Sequence, residues 1–149
     1  MNVLKLTILF LLFPVVLLGQ DKNIDKIEMF YDQGNYAKVY RKTLKYQKQD
    51  KYKKSAPILL FNALAEYQLK ERRKFSEENA IRTFKKYIAL DSTREYSVMY
   101  ANYIYDLQLG LVNEIRALKE TGKEDLAKAK YNEYLALFGN NISFEEVTS

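Results

Sequence analysis

The sequence contains no cysteine, no histidine and no tryptophan, and only two of its 149 residues are proline. Without cysteine the chain has no disulfide, no thiol nucleophile and no cysteine-ligated zinc site. Without histidine it has no Ser-His-Asp triad and no histidine-ligated metal site. The sequence also lacks a glycine-rich phosphate loop and a calcium-binding loop. We therefore expect no cofactor, no bound metal and no catalytic activity.

The first residues have the layout of an export signal. A short segment with one lysine precedes a run of 13 residues, Leu6 to Leu18, that is almost wholly apolar, and Gly19 follows. At 1.5 Å per helical residue, this run is too short to span a bilayer of about 30 Å. The layout predicts a signal peptide over 1–19, cleaved after Gly19, and a periplasmic or extracellular mature protein without a stable membrane span. The alternative is an uncleaved membrane anchor.

The mature chain shows the periodicity of helices over most of its length. Apolar residues recur three and four positions apart, and no run alternates with the period of two that strands require. Helices are expected over about 24–33, 36–49 and 55–70, then after Ser76, after Ser92 and over 124–138. The short linkers predict three antiparallel hairpins, with the mostly apolar third helix at the centre. We expect residues 142–149 to form a loose, flexible tail.

Capping residues predict where individual helices begin. Ser76 precedes Glu77 and Glu78, whose charges favour the first turn of a helix. The spacing Ser92-x-x-Glu95 is that of a capping box, which opens a long fifth helix. Gly110 lies inside that helix and is a point at which we expect a kink, since glycine weakens a helix interior by about 1 kcal/mol.

Three segments of the mature chain look alike: YDQGNYAKV, EENAIRTFKKYIALD and LKETGKEDLAKAKYNEYLALF. Each resembles the second half of a tetratricopeptide repeat, in which a small residue early in the second helix is followed four positions later by an aromatic residue. Ala80 and Phe84 match this pattern, as do Gly122, Ala127 and Tyr131. The resemblance implies that the helices form about three antiparallel hairpins, which stack as a short solenoid. It also implies a concave ligand-binding groove lined by the first helix of each hairpin.

The helical domain is predicted over 20–141. The first helix of each hairpin would line the groove, and two of these helices supply candidate residues. Asn62 and Glu66 lie one turn apart on the third helix, and Asn102 and Asp106 repeat this spacing on the fifth. These side chains could offer hydrogen bonds to a ligand, or they could be ordinary exposed positions.

Tyrosine is unusually frequent, with 13 residues, and Tyr103 is a further candidate groove residue. Tyrosine binds peptides and glycans at low entropy cost, which favours a tyrosine-lined groove. The alternative is that the stripe Tyr96, Tyr100 and Tyr103 has core spacing and packs inside the fold.

A basic run over 38–54 contains eight lysine or arginine residues and a single acidic residue, Asp50. The candidate patch on its helix consists of Lys38, Arg41, Lys42, Lys45 and Lys48. Such a patch could bind an anionic glycan or a lipid headgroup, whereas nucleic acid is not expected for an exported protein. The alternative is a solvated helix face, because surface lysines are common.

Three functional hypotheses follow. The favoured hypothesis is an exported, non-catalytic helical-repeat module that binds a protein or peptide in the periplasm or at the cell surface. The second is an accessory helical region associated with a larger cell-envelope enzyme. The third is a polyanion-binding or membrane-surface-binding protein that uses the basic run 38–54.

Overall fold

The computed structural model describes residues 21–139 and 142–149, and eight helices account for most of them. In chain order they are α1 (Lys22–Asp32), α2 (Tyr36–Gln47), α3 (Ala56–Gln68), α4 (Glu77–Leu90), α5 (Glu95–Met99), α6 (Ala101–Glu120), α7 (Glu124–Phe138) and α8 (Phe144–Thr148). A short 3₁₀ turn, Asp50–Tyr52, lies between α2 and α3. These residues include no strand, so the prediction of an all-α fold is confirmed. The predicted signal peptide, 1–19, lies outside the described residues.

Helix starts and turns follow from local chemistry. The Ser76 side chain accepts a hydrogen bond from the backbone N–H of Asn79, which confirms it as the cap of α4. The turns after α1 and α6 contain Gly34 at φ 67° and Gly122 at φ 75°, a backbone region that favours glycine. These caps and turns determine where the helices end. Which helices pack together is determined by their apolar faces.

Helix α3 is the centre of the fold. Eleven of its thirteen residues are buried, including Phe61 and Leu64. It packs between α2 and α4 and also contacts α1 and α6, so its apolar surface is covered on several sides. The expectation of a central buried third helix is therefore confirmed.

The three predicted hairpins are present. Helices α1 and α2, α3 and α4, and α6 and α7 pack against each other as pairs. The third pair meets α3 mainly along α6, while α4 and α6 make little direct backbone contact. A cleft remains between α4, α6 and the end of α7 as a consequence. That the three pairs form a repeat solenoid stays a prediction.

The long fifth helix is divided, and the predicted kink at Gly110 is wrong. The break falls at Tyr100, which separates the short α5 from α6. Gly110 lies inside α6 and packs against the side chain of Tyr67 in α3. The glycine therefore allows two helices to approach closely, and it does not bend the chain.

The predicted capping box at Ser92 is also wrong. Asp91 supplies the cap, since its Oδ2 accepts hydrogen bonds from the backbone N–H of Ser97 at 2.8 Å and its Oδ1 from that of Tyr96 at 3.1 Å. Arg94 adopts φ 59° just before α5. Burial raises the pKa of Asp91, but the hydrogen bonds from Ser97, Tyr96 and Tyr87 together hold it below its ordinary value.

The prediction of a loose tail over 142–149 is wrong for the segment that forms α8. Ser143 and Glu146 make a complete capping box at its start. Val147 is fully buried, and its carbonyl oxygen accepts a hydrogen bond from Arg116 Nε on α6 at 2.6 Å. The segment therefore packs on the third hairpin and belongs to the domain.

A few apolar side chains that recur at helical spacing are exposed. Met99 is 59% exposed, Leu126 is 57% exposed and Ile88 is 37% exposed. The buried residues of α7 are Ala127, Tyr134 and Leu137. None of the described helices is long and apolar enough to cross a bilayer.

Candidate functional site

Two of the predicted groove residues are buried in the core. Asn62 is 3% exposed and Glu66 is 5% exposed. The side-chain amide of Asn62 donates a hydrogen bond to Thr43 Oγ1 on α2 at 2.8 Å. Because α3 is covered by helices on several sides, it has no open face there. Asn62 and Glu66 therefore do not line a groove, and that part of the prediction is wrong.

Glu66 is a carboxyl group in an unfavourable place. Burial raises its pKa above the ordinary value, and the charge of Arg82 on α4 offsets only part of this effect. A buried carboxylate loses its hydration and is destabilised in its charged form. Glu66 is thus a feature of the packing between α3 and α4 and is not available to a ligand.

The remaining predicted groove residues lie together on α6. Asn102 and Asp106 are exposed, and Tyr103 between them is half-buried. The Tyr103 hydroxyl donates to Asp32 Oδ1 at 2.8 Å, and Glu28 Oε1 lies 3.2 Å from the same hydroxyl. Tyr103 therefore connects the first helix of the third hairpin to the first helix of the first hairpin.

The ring of Tyr103 packs inward while its hydroxyl reaches the surface. Its centroid lies 5.4 Å from that of Tyr31 and 5.2 Å from that of Phe61, both in edge-to-face arrangements. Edge-to-face pairs of this kind favour a fixed ring orientation. The ring of Tyr103 therefore packs in the fold, as the core interpretation predicts, and the tyrosine-lined groove stays a prediction.

Carboxylates of α1 form the other half of this surface. Asp25, Glu28 and Asp32 line a shallow depression with Met29, which is 44% exposed. Burial raises the pKa of Glu28, and the like charges of Asp32 and Asp25 act in the same direction. Asp106 lies close enough to contribute to the electrostatic field at buried Tyr31.

We call this surface the α1–α6 face. It consists of Asp25, Glu28, Met29 and Asp32 of α1 with Tyr103 and Asp106 of α6. We include exposed Asn102 because it lies one helical turn before Asp106. The sequence analysis missed its α1 members, although their spacing of three and four positions places them on one side of a helix. The pattern was available, but only the contact with Tyr103 shows which side of α1 meets α6.

The predicted basic patch is divided in two by its contacts. Lys38 and Lys42 lie over the ring of Phe30 on α1, with their Nζ atoms 3.8 Å and 5.8 Å from its centroid. Arg41 and Lys45 are exposed, as is Lys48 just after α2. The first two cations are therefore part of the packing between α1 and α2, and the other three face solvent.

The cleft beside α4 has a volume of about 570 Å³. Phe84 and Phe138 meet at one of its walls, with ring centroids 5.6 Å apart. Arg94 and Gln108 are among its polar lining residues. The Asp91 carboxylate in this lining is already saturated by the hydrogen bonds that cap α5, so it is not a free acid or base.

A charged network joins the second and third hairpins at the far end of α3. Lys70 contacts Glu114, and Lys130 contacts Glu77, with Lys70 Nζ also 3.4 Å from Glu77 Oε2. Each of these side chains is between 20% and 27% exposed. Because positive and negative groups alternate, the network holds the second and third hairpins together. None of these four side chains is free to act as a nucleophile or a base.

No family model, no curated protein and no solved structure matches this chain. Among the described residues, no group of three or more acidic side chains is arranged to hold a metal ion. The function is therefore inferred from the residues and their geometry, and the resemblance to tetratricopeptide repeats stays a prediction.

Proposed function

We propose that the chain is an exported, non-catalytic helical module that binds a protein or peptide partner through its α1–α6 face. The observation that carries this proposal is the position of Tyr103. Its hydroxyl lies between Glu28 and Asp32, so that two helices from different hairpins present one joint surface. Asn102 and Asp106 extend that surface with exposed polar groups.

The composition of this face suits recognition of a polypeptide. A half-buried tyrosine offers a large rigid contact at low entropy cost, and carboxylate and amide groups accept and donate hydrogen bonds around it. Met29 adds an adaptable apolar contact. The acidic side chains of the face favour a partner segment that presents backbone N–H groups, lysine or arginine.

Export is supported by the sequence of residues 1–19, which has the layout of a signal peptide. The proposed site of action is the periplasm or the cell surface. The proposal needs no catalytic group: Asp91 caps α5, and the network of Lys70, Glu77, Glu114 and Lys130 joins the second and third hairpins.

The experiment is a comparative pull-down from the native envelope fraction. The bait is the exported protein, and the face variant carries Asn102→Ala and Asp106→Ala, two exposed positions whose loss leaves the core intact. The matched control carries Asn132→Ala and Asp125→Ala, which are exposed on α7. Both pairs remove the same chemical groups.

We expect quantitative mass spectrometry to find partners that the wild type and the control retain and the face variant loses. Retention of every partner by the face variant would contradict the proposal. Thermal melts of all three proteins establish that each is folded before the comparison.

A further inference from the structure

Three features lie at one end of the helical bundle, the end at which α1 and α3 begin. They are the first described residue, the basic connection 48–55 and the exposed apolar side chains of α4 and α5. We call this region the leader end, because it contains the first described residue, Asp21.

The start of the described chain is tied to the basic connection. Lys51 Nζ lies 2.7 Å from Asp21 Oδ2, and the Tyr52 hydroxyl is 2.9 Å from the same carboxylate. Asn23 Nδ2 donates to the Tyr52 hydroxyl at 2.9 Å. Asp21 therefore lies against the connection between α2 and α3, and the start of α1 is fixed to that connection.

The leader end carries excess positive charge. Lys48, Lys53 and Lys54 are exposed, and none of the ion pairs of the described residues includes them. Lys22 adds a further exposed cation at the start of α1. The exposed carboxylates at this end are Asp50 of the connection and Glu95 of α5. This balance of cations over acids favours an anionic surface.

Exposed apolar side chains lie at the same end. Lys70 and Glu77 meet where α3 ends and α4 begins, and both helices are about 20 Å long at 1.5 Å per residue. The end of α4 is therefore level with the start of α3. Leu90 there is 42% exposed, and Val98 and Met99 of the following α5 are 77% and 59% exposed.

We propose that the leader end docks on an anionic phospholipid membrane. The lysines attract lipid phosphates, while Val98, Met99 and Leu90 enter the boundary between headgroups and acyl chains. This surface differs from the α1–α6 face, so the inference does not depend on the proposed function.

The test is binding to vesicles of phosphatidylcholine alone and of phosphatidylcholine with phosphatidylglycerol, at physiological salt. Protein is purified after expression of the full chain. The charge variant carries Lys48→Glu, Lys53→Glu and Lys54→Glu. The matched control carries Arg72→Glu, Arg73→Glu and Lys74→Glu, three exposed cations in the turn at the opposite end of α3.

We expect the wild type to bind the anionic vesicles, with little binding to phosphatidylcholine. The charge variant should bind at least about tenfold more weakly, since each surface cation near an anionic membrane contributes about fivefold in affinity. The control should lose much less, because charges beyond a Debye length of about 8 Å are screened. Equal losses in both variants, or no binding of the wild type to anionic vesicles, would overturn the proposal.

The apolar contribution has its own pair of variants. Val98→Asn with Met99→Gln should weaken binding to the anionic vesicles several-fold, whereas Leu126→Gln on α7 should leave it unchanged. If the triple glutamate variant does not fold, as judged by its thermal melt, the corresponding triple glutamine variant replaces it. Binding of the folded glutamine variant at the wild-type level would equally contradict the proposal.

Discussion

Gly110 of α6 lies directly against the ring of Tyr67 of α3. A Cβ atom at position 110 would stand 2.8 Å from Tyr67 Cε1, which is closer than van der Waals contact allows. The Tyr67 hydroxyl donates to Glu114 Oε1 at 2.8 Å, one turn further along α6. The absence of a side chain at Gly110 thus allows the third hairpin to pack on the central helix.

Replacing Gly110 by alanine should therefore destabilise the protein. In an isolated helix this change would be favourable by about 1 kcal/mol. Here the added methyl displaces the Tyr67 ring, and we expect a net loss of about 1–3 kcal/mol in the free energy of unfolding. Urea denaturation measures it, with Asn113→Ala at an exposed position of α6 as the control. A stabilised Gly110→Ala variant would contradict this packing.

Two alanines test the other close approaches. Ala80 of α4 is 1% exposed and Ala127 of α7 is fully buried. Leucine at either position should overpack the contact and cost about 1–3 kcal/mol. Ala89→Leu and Ala129→Leu are exposed controls on the same two helices and should change stability little. Thermal melts that do not separate the buried from the exposed variants would reject these helix contacts.

We predict that replacing the buried Glu66 increases the stability of the protein. Because burial raises its pKa in the folded state above 4.5, ionisation at neutral pH costs the folded state free energy. Glu66→Gln removes that cost and should stabilise the protein by about 1 kcal/mol or less at neutral pH.

The gain from Glu66→Gln should disappear as the pH falls below 4.5, because the carboxyl group is then protonated in both states. Urea denaturation at both pH values checks this. The exposed Glu71→Gln serves as the control and should change stability little at either pH. The prediction is contradicted if the stability difference between Glu66→Gln and the wild type is smaller at neutral pH than at low pH.

Processing gives a prediction that depends on the sequence alone. Cleavage after Gly19 should leave an exported protein that begins at Gln20, with or without cyclisation of that glutamine. The intact mass of the secreted protein measures this. A product that retains Met1 would show that the segment is not removed.

The helices and their pairing could be predicted because they depend on local signals. Ser76 and Gly122 mark helix ends by chemistry that acts within a few residues. The pattern at Ala127 and Tyr131 predicted α7 with the bounds that it has. The capping box at Ser143 was an equally local signal for α8, and the sequence analysis overlooked it.

The α1–α6 face could not be predicted in the same way, because it depends on which helices lie beside each other. Asn62 and Glu66 look like exposed polar positions in the sequence, yet α2 and α4 cover them on opposite sides. The partnership of Tyr103 with Glu28 and Asp32 spans more than 70 positions of the chain. No periodicity within one helix contains that information.

The central claim, that the α1–α6 face binds the partner, is tested most directly by affinity at two salt concentrations for a partner identified in the pull-down. Asn102→Ala with Asp106→Ala should weaken binding about tenfold or more at both concentrations. Reversal of Arg41, Lys45 and Lys48, the three cations that face solvent, to glutamate should alter mainly the association rate, and mainly at low salt. A loss confined to the lysine reversals, with the face variant binding like the wild type, would contradict the account.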